Sequence, residues 1–142
     1  MRLFLDTSVL LAAAGSSTGA SRAIFDLGEA QQWELVTSLY CVEETNQNLG
    51  KLPHVATVEW RNHLQPRMTI VRETLVRDRP LVFTHTKDRP ILLTALAERC
   101  DVLLTLDRRD FAGLLDSRVY RLWVRTPAGF LAHEREQGRL TL

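Results

Sequence analysis

Three features of this 142-residue sequence predict an α/β protein built on a mostly parallel sheet. Short apolar runs alternate along the chain with stretches that suit helices. The run Val102-Leu103-Leu104-Thr105-Leu106 is too apolar to face water on either side, as expected of a strand covered by helices on both faces. Two strands, 2–6 and 102–106, end at or just before an aspartate, Asp6 and Asp107. In open parallel sheets, ligands gather at the carboxyl ends of the strands.

In chain order, residues 2–6 read as a short buried strand, followed by a helix-permissive stretch at 8–14 that Gly15-Ser16-Ser17-Thr18-Gly19 interrupts. A helix at 21–31 turns Ile24, Phe25 and Leu27 inward, and Glu34-Leu35-Val36-Thr37 forms the next strand. Ser38 caps a helix over 39–49. Residues 54–67 form a further helix and 69–72 a brief strand, with an irregular or extended segment over 73–86. Asp88-Arg89-Pro90 is a helix start, a cap with proline just inside, and that helix runs to about Arg99. A last strand covers Tyr120 to Val124, and Pro127 opens a terminal helix.

The length suits one domain, 1–142, with a substantial core. The apolar run Val9 to Ala14 is far too short for a membrane span, and Asp6 interrupts any leader-like segment, so a cytoplasmic protein is expected. Cys41 and Cys100 lie in no metal or redox pair and read as incidental buried thiols. The four histidines show no ligand spacing. Sixteen of the 18 basic residues are arginine, a composition that suits phosphate but also has other origins.

Neighbouring parallel strands would bring Asp6 and Asp107 to one sheet edge. Asp88 starts the helix that feeds the second strand, Asp110 follows Asp107 by one helical turn, and Glu43 or Glu44 can add another carboxylate. Taken singly, each aspartate also reads as a helix cap or turn residue. Together they exceed what capping explains, because "TLDRRD" carries a second aspartate. Two carboxylates about 4 Å apart repel by roughly 4 kcal/mol at an effective dielectric of 20. Such a cluster calls for shared protons or a cation, and an oxygen-only donor set selects a hard ion, Mg²⁺ or Mn²⁺. Ions held this way handle phosphate oxygens.

The stretches "FLDTSVLL", "VEETNQNL", "KDRPILLTALAERCDVLLTLDRRDF" and, more weakly, "RTPAGFL" resemble the PIN-domain family, which includes VapC-type toxins of bacterial toxin–antitoxin pairs. The resemblance implies a three-layer α/β/α sandwich around a short, mostly parallel sheet, with one or two divalent ions in an acidic pocket. Carried over by position, Asp6, Asp88 and Asp107 are metal ligands, Asp110 is a further ligand, direct or through water, and Glu44 completes the catalytic acids. Ser8 and Thr105 match hydroxyl positions that orient these carboxylates or a metal-bound water. The second motif departs from the family, with Thr45 and Asn48 where apolar residues are usual, and alignment through Leu49 favours Glu44 over Glu43.

The implied activity is metal-dependent hydrolysis of RNA phosphodiesters, leaving 5′-phosphate and 3′-hydroxyl ends. Outside the five proposed site acids, 18 basic residues face 12 acidic ones, an excess that would draw in RNA. Arg89, Arg108 and Arg109 adjoin site carboxylates and are candidate phosphate contacts. Trp33, Trp60 and Trp123 are candidates for stacking on bases, although core positions suit them better. Candidate partners are RNA, a cognate antitoxin protein and a second copy of the chain, with no membrane. The alternative is a catalytically silent PIN-like module that binds RNA or protein. A receiver domain would need an acidic pair after the first strand and a late lysine, and a dehalogenase-type phosphatase would need an acid at Ser8.

Overall fold

The computed structural model describes residues 1–74 and 89–140. The expected extended segment around 81–83, the Asp88 carboxylate and the Arg89 side chain lie outside that description. Six strands form the sheet: β1 (Arg2–Leu5), β2 (Glu34–Ser38), β3 (Thr69–Val71), β4 (Val102–Leu104), β5 (Ser117–Val119) and β6 (Leu122–Arg125). Their spatial order is β3-β2-β1-β4-β6-β5, and every pairing is parallel except that of β5 with β6. Helices flank this sheet: α1 (Thr7–Gly15), α2 (Ala20–Gly28), α3 (Leu39–Asn48), α4 (His54–Glu59), α5 (Arg89–Ala97) and α6 (Pro127–Glu136).

The two apolar strands singled out by their terminal aspartates are direct neighbours at the centre. Leu3, Phe4 and Leu5 pair with Val102, Leu103 and Leu104, and the Asp6 N–H donates to the Leu104 carbonyl at 3.0 Å. Leu3, Phe4, Leu5, Leu103 and Leu104 are fully buried, which follows from cover on both faces. At the opposite end of β1, Arg2 ties the sheet together through Glu34 at 2.6 Å and the Glu98 carbonyl at 2.9 Å. The Arg22 guanidinium, buried between helices, pairs with Glu59 and donates to the Ala13 carbonyl, linking α1, α2 and α4.

Several expected elements are recovered with shifted ends. Ser38 caps α3 as expected, its Oγ accepting the Cys41 N–H at 3.2 Å, and Thr126 caps α6 through the Gly129 N–H. The helix expected over 54–67 is interrupted. After Glu59 the chain widens into a π turn, Trp60–Leu64, and tightens into a 3₁₀ turn, Gln65–Arg67. Pro66, which has no N–H to donate, stops the α pattern from continuing, and the wider turn leaves both Trp60 and Leu64 buried. The last strand also differs, because Tyr120 is not within it. Tyr120 adopts a left-handed backbone (φ 56°) in the turn of an antiparallel hairpin, with β5 before it and β6 after it.

The tryptophans take packed positions, the reading that suited them better than base stacking. Trp60 is fully buried with its Nε1–H on Asn46 Oδ1, and Trp33 packs edge-on against Phe130 at 5.1 Å. The Trp123 ring lies under the guanidinium groups of Arg125 (4.4 Å) and Arg118 (5.5 Å). Both cysteines are buried, free thiols, and burial pushes Cys100 up to about 12. Among the described residues, no helix is long and apolar enough to cross a membrane.

Phe4 lies at the centre of β1, fully enclosed, so its truncation leaves a cavity beneath the sheet. Phe4→Ala is expected to lower unfolding stability by about 3–5 kcal/mol, read from the midpoint of a urea titration. A loss below about 1 kcal/mol would contradict the packing described here.

Candidate active site

Where β1 and β4 end, the chain turns outward and opens a cleft of about 260 Å³. Four carboxylates line it: Asp6, Glu44, Asp107 and Asp110. Thr7, Ser8, Leu11, Tyr40, Asn48 and Ile91 complete its walls, and no Lys or Arg lies among the described lining residues.

Like Asp110, Asp6 is buried. It occupies the N-cap position of α1, yet its side chain makes no capping hydrogen bond. Instead Asp6 Oδ2 accepts from two hydroxyls, Ser8 Oγ at 2.9 Å and Thr105 Oγ1 at 2.8 Å. Each hydroxyl oxygen in turn accepts a backbone N–H from the segment after β4, Leu106 on Ser8 at 3.0 Å and Asp107 on Thr105 at 3.0 Å. Burial nevertheless pushes the Asp6 carboxyl above its ordinary range. The two hydroxyl donors pull it partly back, and the charge of Glu44 adds to the upward shift.

The segment "TLDRRDF" folds as a series of turns rather than a regular helix. Asp107 Oδ1 accepts the Asp110 N–H at 2.8 Å, so this carboxylate caps its own turn with one oxygen. Asp110 is buried beside the cleft, and the following Phe111 is fully buried in the core. That anchor fixes where Asp110 sits. Arg108 and Arg109 are exposed and do not line the cleft.

Glu44 arrives from α3 on the other side of the cleft, whereas Glu43 is exposed and outside it. Tyr40 Oη donates to Glu44 Oε2 at 3.2 Å. Thr45, the first departure from the family pattern, is fully buried and donates to the Cys41 carbonyl one turn back at 2.7 Å. A polar side chain thereby fits a core position. Asn48, the second departure, faces the cleft. Its Nδ2 donates to the Glu44 carbonyl at 2.8 Å, and its Oδ1 accepts from Lys51 Nζ at 2.8 Å.

Sequence reasoning named Asp6, Ser8, Glu44, Asp107 and Asp110, and the fold brings these together with Thr105 at one edge. It did not name Thr7, Tyr40 or Asn48 as lining residues. The last two were signalled by spacing, since Tyr40, Glu44 and Asn48 recur every four residues and share one helix face. Thr7 Oγ1 is, among the described residues, the one buried side-chain polar atom with no hydrogen-bond partner. No three acidic, His or Cys side chains among the described residues stand close enough together to hold an ion as a group.

A parallel sheet with acids collected at its carboxyl edge defines an α/β protein whose cleft lies where such sheets bind their ligands. The PIN domain family model matches residues 2–109, and the chain belongs to that family. Among solved structures it is similar to a chain of VapBC2 from Rickettsia felis, described as bound to a DNA fragment from their promoter. That likeness has a TM-score of 0.61 at 16% identity and covers 89% of this chain and 98% of the other, which establishes a shared fold. No curated protein matches the chain by sequence.

The raised Asp6 value sets a pH dependence for the ion-free protein. At pH values below the ordinary carboxylate range, Asp6 is protonated in both folded and unfolded states and contributes nothing. As pH rises through that range, the unfolded chain releases this proton while the folded chain keeps it. Stability then falls by up to about 1.4 kcal/mol per pH unit until the folded carboxyl also ionises. In chelator, wild-type stability is expected to decline relative to Asp6→Asn as pH rises from about 4 towards neutrality. Parallel urea-midpoint profiles for the two proteins would show that Asp6 is not strained by burial.

Proposed function

We propose that this protein is an endoribonuclease dependent on Mg²⁺ or Mn²⁺, acting in the cytoplasm as the toxin of a toxin–antitoxin pair. The observation that carries the reading is the cleft itself. Four carboxylates line it with no Lys or Arg among the described lining residues, Asp6 and Asp110 are buried, and burial disfavours the charged form of Asp6. That arrangement is costly without a cation and well matched to one.

The donor set fits a hard divalent ion. It offers carboxylate and hydroxyl oxygens with no sulfur or imidazole among the lining groups. Mg²⁺ is commonly held by one or two carboxylates and retains several waters, so a tight cluster of three protein acids is not a requirement. The unpartnered Thr7 hydroxyl adds a further polar oxygen at the same wall.

In this reading Asp6 and Asp107 would hold the ion, with Asp110, Glu44 and Asp88 completing the acidic set. A bound divalent ion supplies Lewis acidity towards water and phosphate oxygens. Ser8 and Thr105 hold Asp6 Oδ2 in one orientation and favour its ionised form. Asp107, tied to the backbone of its own turn through Oδ1, presents its carboxylate from a fixed loop. Glu44 is held by Tyr40 at the opposite wall, where it can accept a proton from water approaching the phosphate. Arg108 and Arg109, exposed on the turn between two site acids, would meet the RNA backbone outside the cleft. The toxin assignment is supported by the family and by the fold shared with a VapBC2 chain. A cognate antitoxin and a second copy of the chain are the partners that such a role entails.

Metal-stripped protein incubated with end-labelled single-stranded RNA is expected to cleave it only after Mn²⁺ or Mg²⁺ is restored. Asp6→Asn should lower that rate by at least about 10- to 100-fold, the loss typical of even outer-shell partners of a metal. Equal cleavage by the variant would remove Asp6 from the site. Failure of the wild type both to cleave and to bind Mn²⁺ by calorimetry would favour a silent binding module instead.

A further inference from the structure

We infer that Tyr40 is the platform on which an unpaired nucleobase stacks beside the scissile phosphate, and that its hydroxyl positions Glu44. The inference rests on the ribonuclease reading above and names how that site grips its substrate.

Tyr40 is the aromatic residue among the described lining of the cleft, and it lies in the first turn of α3. Its exposure is 47%, unusual for so large a ring at the wall of a concave site. Its backbone is fixed, since the Tyr40 N–H donates to the Glu73 carboxylate. Its hydroxyl is engaged with Glu44 Oε2. A ring held at both ends and still half open to solvent is preorganised to receive a flat partner.

The chemistry along α3 identifies that partner. Tyr40, Glu44, Asn48 and Lys51 follow one another at spacings of four, four and three residues. An α-helix rises about 6 Å over four residues, so the ring stands roughly one turn before the Glu44 carboxylate. Beyond Glu44, Asn48 Oδ1 accepts from Lys51 Nζ, which lies in the 3₁₀ turn Leu49–Lys51 that follows α3. The stripe therefore runs from aromatic surface through a carboxylate to a cation. A single-stranded nucleic acid alternates the matching groups, a planar base and an anionic phosphate. Duplex RNA does not, because its base faces are already stacked and its deep groove hides their edges.

The tryptophans leave this task to Tyr40. Trp60 is fully enclosed, Trp33 packs on Phe130, and Trp123 lies on β6 under two arginines. Leu11 and Ile91 give the cleft an apolar margin that a base, rather than a phosphate, would contact.

The test measures RNA binding apart from turnover. A short single-stranded RNA carrying a fluorescent adenine analogue is titrated, in Ca²⁺, with wild type, Tyr40→Phe and Tyr40→Ala. Wild type and Tyr40→Phe are expected to bind within about twofold of each other and to quench the analogue, since both keep an aromatic face. Tyr40→Ala should bind about 5- to 150-fold more weakly and leave the analogue unquenched. Tyr40→Phe, lacking the hydroxyl, should cleave more slowly in Mn²⁺ than its affinity would suggest. Thermal melts show whether the exposed substitutions leave the fold intact. Wild-type affinity and quenching retained by Tyr40→Ala would overturn the platform, and full-rate cleavage by Tyr40→Phe would overturn the hold on Glu44. If wild type binds no RNA, the ribonuclease reading falls and this inference falls with it.

Discussion

The register between β1 and β4 is the constraint on which the rest depends. Pairing Leu5 with Leu104 sets Asp6 beside Thr105 and puts the chain's two exits from the sheet on one edge. Because side chains alternate from face to face, a slip of one residue would point Asp6 and Thr105 to opposite sides. The apolar runs resist that slip, since both faces of each strand are buried and the flanking aspartate and threonine are polar. The parallel pairing of β2 with β1 then starts α3 from the same edge at Ser38 and delivers Tyr40, Glu44 and Asn48 to the cleft.

Much of this was legible in the sequence because the informative residues violate their surroundings. An aspartate at the end of an apolar strand, met twice, is a local anomaly that demands a use. Ser38 and Pro127 announced their helix starts by chemistry that acts within a few residues. The hairpin of β5 and β6 was not legible, because its turn bends at Tyr120 rather than at a glycine or asparagine. Tyrosine in a left-handed backbone is sustained by the two flanking strands and leaves no local signal. The break after Glu59 was hidden for a related reason, since an amphipathic pattern does not distinguish an α turn from the slightly wider one that buries Trp60 and Leu64. Among the acids, spacing identified a set, alignment favoured Glu44 over Glu43, and the orientation of α3 turns Glu44 rather than Glu43 to the cleft.

The two departures from the family pattern on α3 have different fates. Thr45 remains in the core because its hydroxyl finds the carbonyl one turn earlier, which removes the cost of burying it. Asn48 joins the cleft, bonded on one side to the helix backbone and on the other to Lys51. A polar substitution in an apolar stripe is thus absorbed internally in one case and extends the site in the other.

The hydrogen bonds beneath Asp6 have a fixed polarity. Ser8 and Thr105 each receive a backbone N–H on oxygen and spend their own hydrogen on Asp6 Oδ2. Around an ionised Asp6 this order is set, because a carboxylate only accepts and each hydroxyl oxygen already receives an N–H. It also sorts any amide placed there. An asparagine at position 6 would have to turn its oxygen down to the two hydroxyls and its NH₂ outward. A side chain of nearly the same shape would then present the opposite polarity to the cleft, a donor where an acceptor had been.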